Sequence, residues 1–252
     1  MAGARYGFLL PGSSAVACAP ESSPDESPAS ALARLLRCND EAVGGDALRR
    51  VARVEVDLAI SEPTFDVEAT YVATREGIAR IDVFSDGVRV FSEGWDGTTG
   101  WQQPRGAPAP VPTSPEGGEA LRHGLEQPGH LWTLSDMEGN GHAVTLSDEA
   151  EDAADGARVV QLTLKDGFEA WYWVDTTTCL VERSRNFRAF HPDVQPDETW
   201  IETRFADHRR TDGVVRAWLS VSVDLATGDT LGLTRVEAVR HAPSSTGPAG
   251  GR

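Results

Sequence analysis

Five Asp-Gly pairs, Asp86-Gly87, Asp96-Gly97, Asp155-Gly156, Asp166-Gly167 and Asp212-Gly213, separate short runs rich in Val, Ile, Thr and aromatic residues. Asp-Gly is a tight-turn dipeptide of β-hairpins. The glycine takes the positive φ that type I′ turns need, while the aspartate tolerates the left-handed region and can bond the turn backbone. Repeated along a chain, the pair predicts an antiparallel meander, and so a curved sheet that holds something rather than a parallel α/β scaffold.

The runs between these turns alternate. Val54, Val56, Leu58 and Ile60 oppose Arg53, Glu55 and Asp57; after Pro63, Phe65, Val67, Ala69 and Tyr71 oppose Asp66, Glu68 and Thr70. Successive side chains of a strand point to opposite faces, so one side of this sheet is apolar and the other wet. Upstream, from Ala29 to Val51, Leu32, Leu35, Leu36, Val43, Ala47, Leu48 and Val51 recur near helical spacing, broken by Gly44-Gly45, which predicts a helix, a break and a short second helical turn. Residues 104–118 carry five prolines and read as a long loop, either a lid or disordered, before a short amphipathic helix at Glu119–Gln127 with Leu121 and Leu125 on one side. Strands are expected again at Leu131–Ser135 and His142–Ser147, then in a longer set reaching Val239. The total is about eleven strands, a mainly β (α+β) fold in a strongly curled or nearly closed sheet. On the strand from Phe168, Trp171 and Trp173 share one face and Ala170, Tyr172 and Val174 the other. This strand is expected to be covered on both sides and to lie under a helical cap.

A net charge of −16 repels phosphate backbones and anionic bilayers, which argues against nucleic-acid binding. Arg5, the apolar stretch Tyr6–Ala17 and Ala15-Val16-Ala17 before Cys18 read as an export signal, although Pro11 and Gly12 cut it. On that reading Cys18 is a lipidation candidate and membrane tether, and Ala19–Ser30 a flexible linker. The other reading is a disordered start or a wrongly chosen initiator Met. The organisation is then residues 1–30 as signal and tether, 31–240 as one domain, and 241–252 as a disordered tail. Nothing approaches the roughly 18 apolar residues of a spanning helix. Cys38 and Cys179 could pair in an oxidising compartment, but two separate buried thiols are preferred, because nothing in the sequence brings them together.

Three stretches resemble the LolA-like superfamily of periplasmic lipoprotein carriers. They are Gly44-Gly45-Asp46-Ala47-Leu48 leading into the first strand, Trp95-Asp96-Gly97-Thr98-Thr99-Gly100-Trp101, and Asp166 to Asp175 with Arg183 and the later Thr211-Asp212-Gly213-Val214. The similarity spans roughly Ala31 to Val239. It implies an unclosed antiparallel β-barrel with an N-terminal helix and a short lid helix, curled round an apolar cavity that holds acyl chains without chemistry on them. No individual lipid contact of that family carries over.

Seven tryptophans and alternating apolar faces suit such a cavity, since burial stabilises by roughly 0.8 kcal/mol per methylene. The same side chains could instead fill a solid barrel. Candidate cavity residues are Val54, Val56, Leu58, Phe65, Val67 and Tyr71. No GxSxG, HExxH or phosphate loop occurs, and Cys179, His191 and Asp193 fall at turns, so no catalysis is expected. Asp148, Glu149, Glu151, Asp152 and Asp155 lack calcium-loop spacing and read as a solvated hairpin tip; no metal or cofactor is expected. The expected function is binding of a lipid or acylated protein by an exported monomer. The alternative is a protein-interaction or envelope-stress sensor domain on the same fold.

Overall fold

The structure is a computed structural model that describes residues 27–147 and 156–243. Cys18, the export signal, the acidic hairpin tip from Asp148 to Asp155 and residues 244–252 lie outside the described residues. Two helices open the chain, α1 (Pro28–Val43) and α2 (Gly45–Arg49). Five strands follow: β1 (Val51–Glu62), β2 (Phe65–Thr74), β3 (Ala79–Ser85), β4 (Val88–Trp95) and β5 (Gly100–Pro104). A two-residue strand β6 (Val111–Pro112), helix α3 (Pro115–Glu126) and a 3₁₀ turn (Leu134–Asp136) come next. The second half holds β7 (Ala143–Leu146), β8 (Ala157–Thr163), β9 (Glu169–Asp175), β10 (Val181–Arg188), β11 (Thr199–Thr211), β12 (Val214–Asp224) and β13 (Thr230–Pro243).

All thirteen strands form one antiparallel sheet in the order β6-β5-β4-β3-β2-β1-β13-β12-β11-β10-β9-β8-β7. The first and last strands pair through β1 and β13, with Val56 opposite Val239. The edges β6 and β7 do not pair, so the barrel is unclosed. The hairpin turns obey the dipeptides that announced them: φ is positive at both residues of Asp86-Gly87 and Asp212-Gly213, and at Gly97, Gly156 and Gly167.

The helices cover the concave side in two places. Leu35 and Leu36 of α1 pack on Val144, Val160, Leu162, Tyr172 and Val174. Leu48 of α2, Leu125 of α3 and Leu131 pack on Val54, Val56, Ala73 and Ala79. The β9 strand is thus capped by α1 on one face. On its other face the guanidinium groups of Arg183 and Arg185 lie 4.3 and 4.8 Å from the Trp173 ring, in place of a second layer. Glu202, 1% exposed, is the carboxylate that gathers Arg183, Arg185 and Arg204 there.

Four expectations change. Helix α3 begins at Pro115 rather than Glu119, because the Ser114 side chain accepts from Gly117 N–H and proline suits the first helical turn. Residues 131–135 form no strand; Thr133 and Asp136 make a capping box, and the Thr133 and Ser135 hydroxyls donate to Asp40 (2.9 and 2.8 Å). The β13 strand includes His241, Ala242 and Pro243, which pair with β1 and so are not part of a tail. Cys38 and Cys179 are disulfide-bonded, with Cα atoms 5.7 Å apart, and are not separate thiols. The cause is tertiary: α1 crosses β9, bringing its last turn to the β9–β10 turn, where Asn39 also donates to the Cys179 carbonyl (2.8 Å). A bridge across 141 residues is expected to contribute about 2–4 kcal/mol.

The α1–α2 junction rests on the β11–β12 hairpin. A Cβ on Gly44 would meet the Gly213 carbonyl oxygen at 2.1 Å, and one on Gly213 would meet Ala47 Cβ at 3.0 Å. Gly97 has φ +100° but its nearest such neighbour is 3.8 Å away. Valine at either site is expected to lower the thermal midpoint, because a β-branched residue is disfavoured at positive φ. The Gly213→Val loss should be the larger, since it also displaces α2; equal midpoints for the parent and both variants would contradict the turn assignment.

Candidate functional site

Between the two packed regions the concave side is not filled. A cavity of about 530 Å³ remains, within the roughly 300–1,000 Å³ usual for small-molecule sites. Its apolar wall includes Val56 and Leu58 of β1, Phe205 of β11, Trp218 of β12, Val236 of β13 and Trp132 of the segment after α3. Trp132 packs against both cores and joins them. Arg75 lies 4.4 Å above its ring and donates to the carbonyls of Val51, Leu48 and Leu131 (2.7, 3.0 and 2.7 Å), pinning the segment to the sheet.

The six candidate residues do not act as one group. Val56 and Leu58 line the cavity. Val54 is fully buried in the core beneath Leu48 and Leu131 and does not border it. Tyr71, opposite Val56, packs its ring tilted against His130 with centroids 4.4 Å apart. Val67 pairs with Ile60 toward the far end of the hairpin, and Phe65 at its tip is 45% exposed.

Sequence reasoning missed the polar side of the cavity. His130, Arg188 and Arg216 all line it. Burial, reinforced by the Arg216 charge, pushes His130 down to about 3, so its imidazole is neutral. Burial lowers Arg216 to about 10, opposed by its attraction to Tyr71; the guanidinium remains charged at neutral pH. Burial raises the Tyr71 phenol to about 12. A signal was available in the sequence, because Arg216 interrupts the apolar run Val214, Val215, Ala217, Trp218. His130 fell between the helix expected at Glu119–Gln127 and the strand expected at Leu131–Ser135, where no motif marked it.

Helix α3 straddles the gap between the sheet edges. It packs on β5 where a Cβ on Gly100 would lie 2.6 Å from Gly118 Cα. At its other end Arg122 pairs with Asp166 in the β8–β9 turn, His123 Nε2 lies 2.7 Å from the same carboxylate, and the His123 ring stacks on Phe168 at 4.1 Å. The Tyr172 hydroxyl donates to Gln127 Oε1 (2.8 Å) beyond the helix end.

No protein-family model and no curated protein matches the sequence. Solved structures do match the fold. A LolA superfamily protein from Nitrosomonas europaea superposes with a TM-score of 0.56 at 11% identity, covering 84% of this chain and 94% of its own. A DUF1329 family protein from Desulfovibrio piger gives 0.51 at 13% identity, over 82% and 92%. A domain from Vibrio parahaemolyticus described as an outer membrane lipoprotein-sorting protein gives 0.51 at 11% identity, over 84% and 92%. The chain has a LolA-like fold, as its motifs implied.

The α3 latch should respond to acid. Burial works against the Asp166 charge, but hydrogen bonds from His123, Arg122 and the Phe168 N–H outweigh it and hold the carboxyl well below its usual range. A carboxylate depressed in the folded state contributes fully above its unfolded value, near pH 4, and loses that contribution as pH falls toward the folded value. Asp166→Asn is expected to speed amide exchange in α3 at pH 7, with a stability loss of about 1 kcal/mol or less for so exposed a pair. The difference from the parent should shrink between pH 5 and pH 3; a pH-independent difference would rule out the charge as its source.

Proposed function

We propose that this protein binds the acyl part of a lipid or lipidated molecule in the concave cavity and performs no chemistry on it. The observation that carries this reading is the unfilled space itself. A packed β-barrel interior leaves few voids larger than a water molecule, whereas here about 530 Å³ is bordered by Val56, Leu58, Trp132, Phe205 and Val236 beneath a helical lid. The LolA-like fold supports the same direction, since one solved structure of that fold is described as lipoprotein-sorting. The Cys38–Cys179 disulfide supports placement in an oxidising compartment outside the cytoplasm. We propose a monomer there, tethered through Cys18 if that residue is lipidated.

A second reading, a domain that receives another protein, has its own observation. Trp171, Phe187 and Trp200 cluster on the outer face, with Phe187 and Trp200 46% and 42% exposed and ring centroids 5.4–5.6 Å apart. Such aromatic surface suits an interface; the depression beside it, about 440 Å³, lies more open to solvent than the concave cavity.

Fluorescent fatty-acid binding separates the two. The parent protein is expected to bind the probe saturably and to lose emission from Trp132 and Trp218. Leu58→Trp should block binding while stability changes by less than about 1 kcal/mol, because the added volume enters free space. Val56→Trp should be more damaging, about 1–3 kcal/mol, since Val56 also belongs to the packed core. No probe binding to the parent, with destabilisation by Leu58→Trp, would favour the protein-interaction reading.

A further inference from the structure

The cavity is not only apolar. Arg216 lines it, half-buried, and among the described residues no carboxylate pairs with that guanidinium. Among the described residues its one hydrogen bond is a long one, Nη2 to the His130 carbonyl at 3.5 Å, and its Nε has no partner. Two more buried nitrogens bordering the same cavity are without partners, Nδ1 of His130 and Nε1 of Trp218. Arg188 lies in the cavity wall too, bonded to neutral oxygens of Asn186, Ala189 and Phe190.

This is unlike the treatment of arginine elsewhere in the chain. On the outer surface Arg240 bridges Glu55 and Asp57, and in the helical cap Arg49 joins Asp40 and Asp136. Acids stand beside these arginines, whereas among the described residues none pairs with Arg216 or Arg188. An uncompensated buried charge and unmade buried hydrogen bonds both disfavour the empty state. An incoming oxyanion would relieve them together: guanidinium binds planar or tetrahedral oxyanions through parallel N–H bonds, and an indole N–H can only donate.

We propose that Arg216, with the ring nitrogens of His130 and Trp218, forms a headgroup site for an oxyanion, so that the ligand is an anionic amphiphile with a free carboxylate or phosphate. This rests on the cavity being a lipid site and makes it selective. A neutral ester of equal chain length offers only its carbonyl oxygen and leaves the guanidinium charge uncompensated, so it binds more weakly. The Tyr71 ring packs against the His130 ring, centroids 4.4 Å apart, and is close enough to interact with the Arg216 charge.

The test compares oleate, methyl oleate and oleoyl lysophosphatidate by titration at pH 8, with the whole protein, its Arg216→Met variant and its Arg216→Lys variant. The parent is expected to bind at least one anion roughly 10- to 100-fold more tightly than the ester. Arg216→Met should bring the anions down to the ester's affinity, leave the ester unchanged and hold or raise the thermal midpoint, while Arg216→Lys should keep part of the preference. Preference for oleate identifies a fatty acid, preference for lysophosphatidate a phospholipid, and either supports the site. Equal binding of acid, phosphate and ester by the parent overturns the headgroup site and leaves the cavity reading intact; failure of all three to bind overturns both. If Arg216→Met does not fold, the comparison of anion with ester on the parent still decides.

Discussion

A single sheet whose edges never meet must have its concave face covered by chain that is not sheet. Here α1 and α2 arrive before β1, and α3 with the following segment crosses from β6 to β7. Each cover is anchored separately. The disulfide and Asn39 tie α1 to the β9–β10 turn; Arg49 ties α2 to Asp40 and to Asp136 of the 3₁₀ turn; Arg75 ties the Leu131–Trp132 segment to β1. Two covers fixed at two places produce two cores, and the unfilled volume between them is a consequence of that anchoring. The cavity therefore does not depend on unusually small side chains along the strands.

The same arrangement divides stiffness. The sheet is held by continuous antiparallel ladders, whereas α3 is held by a close glycine contact at one end and by Arg122, His123 and Gln127 at the other. Local opening concentrates where buried apolar contacts are few and polar contacts reach solvent, so α3 is expected to open before the sheet does. Charge is divided in parallel: acidic side chains compensate arginines outside the cavity, while Arg216 and Arg188 inside are left with neutral partners.

The fold was readable because its signals are local. Asp-Gly turns, period-two alternation in β1 and β2, and the Gly44-Gly45 break each follow from backbone sterics within a few residues. Two of the stretches that carried the family resemblance meet in space, Gly44 on Gly213, which explains why both need glycine. Apart from the start of α3, set locally by its Ser114 cap, the misreadings concern distant partners. Cys38 and Cys179 are joined only after α1 crosses β9. Leu131–Ser135 looked extended because its turn is stabilised by Asp40, far back in α1. Of the expected cavity residues, the alternation marked the correct face but not the position along it; whether Val54 is covered, Val56 borders the void or Phe65 reaches solvent is decided by where the covers end. His130 and Arg216 stood in no motif, and their importance arises from burial that only the assembled sheet creates.

The central claim is that this molecule encloses a lipid. Native mass spectrometry of the protein purified without detergent from the cells that make it tests this most directly. The account predicts a folded species carrying one added lipid mass, lost on denaturation, with the extracted molecule an anionic amphiphile. The bare mass of the oxidised polypeptide under both native and denaturing conditions, with no mass gained on incubation with oleate or lysophosphatidate, would contradict it.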